Sequence, residues 1–191
     1  MTDASGPDKP SGRRHPWRQV IEWVVILFFA LLIAGLLHTF VVQAFYVPTG
    51  SMLPTLQPGD RVVVIKFGYT IQRGDIIVFR RAAADTDTQA ADLVKRVIGL
   101  PGETISSLGD TVLINGRPIA EPWLPELTGA CYESAFNIPK TKIAAGHYFV
   151  MGDCRRLSYD SRYWGTVPAG NVVGKVIAIA WRHKHPYLQW F

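Results

Sequence analysis

The chain has 191 residues, of which 48% are apolar and 18% charged, and its formal net charge is +5. That length bounds it to one domain plus extras, with a core of useful size. Lys and Arg are scattered beyond the N-terminus without aromatic interleaving, which argues against nucleic acid as the main partner. No G-x-x-x-x-G-K-[ST], G-x-G-x-x-G or H-E-x-x-H occurs, and the two cysteines lack metal-site spacing. Neither a nucleotide, a metal nor a cofactor is therefore expected.

Residues 1–19 are rich in Pro, Gly, Ser and charge, and a disordered tail is expected there. Arg13, Arg14, His15 and Arg18 gather just before the apolar block and, by the positive-inside rule, keep this end in the cytoplasm. From Trp23 to Leu37 every residue is apolar or Gly, and Phe40 to Val42 extend the run. Roughly 20 residues span the hydrocarbon core, so residues 20–42 are predicted to form one transmembrane helix. His38 is expected near the outer headgroups. Val42-Gln43-Ala44 also resembles a signal-peptide cleavage site, but the apolar run exceeds the roughly 7–15 residues of such segments. Retention is expected, leaving residues 43–191 as a domain outside the cytoplasm.

Tyr46-Val47-Pro48-Thr49-Gly50-Ser51-Met52-Leu53-Pro54-Thr55-Leu56 follows directly. Pro48 and Pro54 stiffen the chain on either side, and Gly50 permits close backbone approach. Two readings fit: Ser51 is a nucleophile awaiting a base, or it is a turn residue bonded to its own backbone.

The pattern then becomes β. Gln57–Asp60 is a turn, Arg61 to Phe67 a β-branched strand, Gln72–Asp75 a second turn, and Ile76 to Arg80 a strand. Residues 81–92 are expected to form a mobile loop. Leu93 to Ile98 is the next strand, followed by Thr104 to Ser106 and Thr111 to Ile114. Asn115-Gly116 turns the last of these into Arg117 to Ala120. Residues 121–145 carry several Pro and Gly, little period, and are expected to form a surface excursion. Tyr148 to Met151 is strand, Gly152 to Gly165 an irregular loop, and Val172 to Trp181 a final strand. His183 to Pro186 lie in a basic tail with no assigned chemistry. The fold class is accordingly all-β, a compact barrel-like arrangement of antiparallel sheets behind one transmembrane helix.

Alternation along Leu93–Ile98 puts Leu93, Lys95 and Val97 on one face and Val94, Arg96 and Ile98 on the other. If the first face is buried, desolvation lowers the lysine pKa. A fall of about 3 units costs roughly 4 kcal/mol and makes the neutral amine available at neutral pH. Arginine cannot follow, because it stays charged. The competing reading is an edge-strand lysine that blocks aggregation. In the loop after Met151, Asp160 with Arg162 can brace the backbone and leave Ser158 free to meet an amine.

Three stretches together carry a resemblance. Pro48-Thr49-Gly50-Ser51-Met52, Lys95-Arg96-Val97-Ile98-Gly99-Leu100-Pro101-Gly102-Glu103 and Ser158-Tyr159-Asp160-Ser161-Arg162-Tyr163-Trp164-Gly165 are similar, in order and spacing, to the motifs of bacterial type I signal peptidases. Glu121-Pro122-Trp123-Leu124 and Gly146 to Asp153 are smaller echoes. The resemblance implies a membrane-bound serine endopeptidase that removes signal peptides from exported preproteins after small residues at −1 and −3. It implies Ser51 as nucleophile, Lys95 as general base, and an oxyanion hole from the Ser51 backbone N–H and the Thr49 hydroxyl. Ser158 would orient the Lys95 amine, with Asp153, Arg96, Asp160 and Arg162 as supporting ions. Partners would be preproteins and membrane lipid. The family usually has Asn where Cys154 stands and polar residues where Arg156 and Leu157 stand, which puts the bracing loop's hydrogen bonding in question. Outside the cytoplasm Cys131 and Cys154 are expected to pair.

Two other functions remain to be separated from this one. A sortase-like transpeptidase would use Cys154 with His147 and Arg155, but no T-L-x-T-C pattern precedes the cysteine. A non-enzymatic, membrane-tethered β module would bind through Phe45, Tyr46, Trp190 and Phe191.

Overall fold

The structure is a computed structural model in which residues 16–80, 92–124, 129–132, 135–182 and 185–191 are described. The chain divides into two units, Met1–Thr39 and Phe40–Phe191. The first contains most of helix α1 (Pro16–Phe40), 25 residues long. Proline suits a first helical position, since its missing N–H would have no partner there. At 1.5 Å per residue such a helix is about 37 Å long, enough to cross a bilayer. Every residue from Trp17 to Gly35 is exposed, and from Trp23 onward the stretch is apolar or glycine, with Arg18, Gln19 and Glu22 confined to its first turns, as suits a membrane span.

Both ends of this helix differ from expectation. Residues 16–19, read as tail, are helical, and the helix stops at Phe40 rather than Val42. Val42–Tyr46 leaves it as strand β1. Apolar residues continue through the junction, so hydropathy carries no boundary signal; cross-strand pairing decides it. The rest of the predicted tail, His183, Lys184, residues 81–91 of the predicted loop and parts of the excursion lie outside the described residues.

Among the described residues, eleven further strands follow in the second unit: β2 (Arg61–Ile65), β3 (Ile76–Arg80), β4 (Asp92–Gly99), β5 (Thr104–Leu108), β6 (Thr111–Ile114), β7 (Arg117–Pro118), β8 (Thr141–Lys142), β9 (His147–Met151), β10 (Val167–Pro168), β11 (Val172–Arg182) and β12 (His185–Trp190). All pairings are antiparallel. The larger sheet runs β1-β2-β11-β3-β4-β9-β10, with β12 also on β11, and the smaller runs β7-β6-β5-β8. The fold is thus all-β behind an apolar helix.

Three clusters fill the interior. Val47, Met52, Leu56, Val62, Val64, Ile76 and Val176 form one, beneath the stretch that carries Ser51. Ile98, Ile105, Ile114, Ile138, Ile143 and Phe149 join the two sheets in the second. Ile77, Phe79, Val97, Val150 and Val167 make the third, on the other side of the β3–β4 pair. Burying one such side chain contributes about 1.5–3 kcal/mol.

Residues 121–145 are therefore more than a surface excursion. Ile138 and Ile143 are core, and β8 pairs with β5. The C-terminal segment likewise is not a loose tail, since β12 adds to β11. Within Gly152–Gly165, Arg155–Leu157 forms a 3-10 turn and Ser161–Trp164 a short helix, α2, capped by the Asp160 side chain.

Candidate active site

Val47 anchors the stretch that presents Ser51. Its side chain is core, its N–H donates to the Asp60 carbonyl (2.9 Å), and its own carbonyl accepts from Gly59 N–H (2.8 Å). Gly50–Met52 then winds into one 3-10 turn, closed by Leu53 N–H on the Gly50 carbonyl (3.1 Å). Met52 and Leu56 plunge into the first cluster. The hydroxyl between these anchors has little freedom, and Ser51 is itself buried.

Lys95 comes from the middle of β4. Leu93 and Val97 share its face, and Ile77 of β3 stands directly across from it. Those neighbours belong to the third cluster, so the aliphatic stem starts over apolar surface. Lys95 is 4% exposed, and its Nζ–H donates to Ser51 Oγ at 2.6 Å. Burial pushes the Lys95 amine down to about 8; Asp160 and Asp153 oppose the fall and Arg162 adds to it. Thr49 Oγ1 lies 3.3 Å from Ser51 Oγ, on the same turn.

Behind the pair stands the loop after β9. Cys154 N–H donates to the Ser51 carbonyl (3.1 Å). A Cβ on Gly152 would collide with that carbonyl and with the Ser158 hydroxyl, so only glycine permits the approach. Asp160 accepts from Gly152 N–H (2.9 Å) and from Arg162 Nε (2.8 Å), and Arg162 Nη2 reaches the Ser158 carbonyl (3.0 Å). Ser158 Oγ is buried and has no hydrogen-bond partner among the described residues. Its expected contact with the Lys95 amine is thus not made in this structure.

Arg96, on the opposite face of β4, grips Asp153 with both arms (Nε–Oδ1 2.8 Å, Nη2–Oδ2 2.6 Å). The expected ionic support is therefore two separate pairs, Arg96–Asp153 and Arg162–Asp160. Cys131 and Cys154 are joined by a disulfide, with Cα atoms 4.4 Å apart. Cys154 is fully buried, whereas Arg156 and Leu157 point outward. Among the described residues no group of three His, Cys, Asp or Glu comes together.

Several contacts of the site were not read from the sequence. Thr55 donates to Asp153 Oδ2 (2.5 Å), Trp123 covers the Arg96 guanidinium at 5.6 Å, and Glu121 pairs with Arg155. Thr55 had one usable signal, its place four residues beyond Ser51 on the same stiff stretch.

Residues 20–181 match the family model described as "Signal peptidase, peptidase S26". The chain belongs to that family. Its members are serine endopeptidases. A signal peptidase I from Leptolyngbya laminosa is 37% identical over 168 residues, covering 85% of this chain and 80% of its own. A probable signal peptidase I-1 from Synechocystis is 39% identical over 169 residues, covering 85% and 83%. A solved signal peptidase I from Enterococcus faecalis matches with a TM-score of 0.45 and 33% identity, over 56% of this chain and 97% of that one. Membership in this family sets aside the binding-module reading. The sortase-like reading fails on Cys154 itself, which is bonded to Cys131 and buried, with no thiol to attack.

Proposed function

We propose that this chain cleaves signal peptides from exported preproteins, with Ser51 as nucleophile and Lys95 as general base. The observation that carries the reading is the 2.6 Å contact between the Lys95 amine and the Ser51 hydroxyl in a buried setting. A pKa near 8 leaves roughly one-tenth of the amine neutral at pH 7, and a substrate that excludes water raises that share. The neutral amine accepts the Ser51 proton as Oγ attacks the carbonyl carbon of the −1 residue. Negative charge develops on the carbonyl oxygen, where the Ser51 N–H and the Thr49 O–H can donate. The Lys95 ammonium then gives its proton to the departing amine. Water, deprotonated in turn by Lys95, hydrolyses the acyl-enzyme. Ser158 has a hydroxyl beside Gly152 with no hydrogen-bond partner among the described residues, which supports a part in orienting the amine.

The substrate has a place to lie. Among the described residues, β9 begins its pairing with β4 at Arg96, so Asp92–Lys95 are bonded on the β3 side alone. An extended peptide can add there as a strand ending beside Ser51, with small −1 and −3 side chains turned inward. The N-terminus is cytoplasmic on this reading, because Arg13, Arg14 and Arg18 precede the apolar run that starts at Trp23. The domain stands on the other side, where a disulfide persists. Exposed Tyr46, Trp190 and Phe191, together with half-buried Phe45, suit a lipid interface.

The test is cleavage of a preprotein with Ala at −1 by the full chain in detergent. Parent protein yields the mature product, Ser51→Ala does not, and a bulky −1 residue blocks cutting. Cleavage by Ser51→Ala at the parent rate would sink the proposal.

A further inference from the structure

The residues between β7 and β8 touch the loop behind Ser51 by three chemically different means. The disulfide Cys131–Cys154 is the first. An ion pair from Glu121 to Arg155 is the second, with the arginine 4% and the carboxylate 14% exposed. The third is the Phe136 ring, which carries two guanidiniums, Arg155 at 5.8 Å and Arg162 at 5.3 Å from its centre. Phe136 is itself held to the smaller sheet. Its N–H donates to the Gly109 carbonyl (3.2 Å), and its carbonyl accepts from Ser107 Oγ (2.7 Å).

All three contacts end on residues that hold the nucleophile. Cys154 N–H is bonded to the Ser51 carbonyl, so a single residue separates the cross-link from the reacting segment. Arg155 Nε returns to the Gly152 carbonyl (3.2 Å). Arg162 fixes Asp160, and Asp160 fixes Gly152 N–H. Gly152 is the residue wedged against both Ser51 and Ser158. Movement of this loop by a fraction of an ångström therefore reaches the dyad directly.

We propose that Glu121, Cys131 and Phe136 form a clasp that positions the Gly152–Arg162 loop against Ser51, making them positioning residues for cleavage. The clasp ties the site to the smaller sheet, which among the described residues otherwise contributes none to it. It rests on the dyad reading above. The structural alternative is a staple that raises stability and leaves the chemistry alone.

The experiment uses the full chain in detergent with a preprotein substrate, and reads kcat, KM and the pH dependence of kcat/KM. Three altered forms are compared with the parent: Cys131→Ser, Glu121→Gln, and parent protein treated with dithiothreitol. In the last, the dithiol is oxidised to its cyclic disulfide while Cys131 and Cys154 each gain a proton as thiols. Glu121→Gln keeps the cross-link and covers the case in which Cys131→Ser does not fold. Displacement of a supporting group by about 1 Å can cost up to 100-fold, so a fall in kcat of about 10- to 100-fold is expected for the loss of the covalent arm. KM should stay within about twofold, and Glu121→Gln should lower kcat several-fold, being a single ion pair. The acid limb of kcat/KM should also move from about 8 toward the ordinary lysine value, because a loosened loop admits water to Lys95. Unchanged kcat and an unmoved limb in all folded forms, with only a lower Tm, would overturn the clasp. Ser51→Ala is assayed beside them: its retention of activity would overturn the dyad, and the clasp with it, whatever the cysteine variants do.

Discussion

Lys95 and Arg96 are consecutive on β4, are 4% and 5% exposed, and have opposite fates. Arg96 meets both oxygens of Asp153, the Gly74 carbonyl (2.7 Å), the Thr55 hydroxyl (3.3 Å) and the face of Trp123. Among the described residues Lys95 donates to one serine hydroxyl. A guanidinium stays charged and must be given partners when buried, whereas an amine left with few can shed its proton. Burial is the same on both faces. Pairing is what separates the brace from the proposed base.

The widest gap between the two faces opens when the chemistry of one is imposed on the other. Lys95→Arg places a permanent cation beside Ser51, and preprotein cleavage in detergent should fall by about 10⁴-fold or more, as for loss of a general base. Activity within tenfold of the parent would mean that no neutral amine is needed.

On the bracing face, Arg96→Met strands the Asp153 carboxylate in a buried site. Unfolding in urea should show a loss of about 3–5 kcal/mol, the range for breaking one partner of a buried pair. Replacing both, Arg96→Met with Asp153→Leu, should recover much of it. No loss in the single variant would show that Asp153 is solvated or otherwise paired.

On the catalytic face the sign is reversed. The folded pKa of Lys95 lies near 8, below its unfolded value of 10.5, so below about pH 8 the folded state bears the full cost of the buried ammonium. Between about 8 and 10.5 the unfolded chain binds the extra proton, and stability rises with pH. Lys95→Met should accordingly stabilise the protein by up to about 3 kcal/mol at pH 7. That gain should vanish near pH 10.5, as followed by urea unfolding at several pH values. A pH-independent difference would remove the electrostatic explanation.

The smallest effect concerns Thr55, which donates to Asp153 Oδ2. Thr55→Val should cost about 1.5–3 kcal/mol, as for a hydrogen bond to a charged group, and Thr55→Ser should restore most of it.

The sequence exposed the catalytic face more readily than its support. Pro48, Gly50 and Ser51 announce a stiff polar point on a greasy stretch, and β-branched runs with Gln57–Asp60, Gln72–Asp75 and Asn115-Gly116 turns announce the strands around it. The hairpin turn illustrates why: Asn115 and Gly116 both adopt positive φ, a local demand visible in two letters. Strand β1 was hidden because Val42 and Phe45 continue the apolar run of the helix before it. The clasp was hidden for a different reason. Its covalent arm, Cys131–Cys154, was expected, but Glu121 and Phe136 act through contacts with distant residues, and isolated contacts leave no period to read. The contacts of Thr55 and Trp123 were missed for the same reason, while α2 is only four residues long and its cap, Asp160, reads equally well as a charged loop residue.

The most direct test of the whole account is the titration of the Lys95 amine itself. In the full chain in detergent, the Nζ resonance, assigned by its absence from Lys95→Arg, should titrate with a midpoint near 8. A midpoint at 10 or above would show a solvated, permanently protonated lysine, and the account of Ser51 activation could not stand.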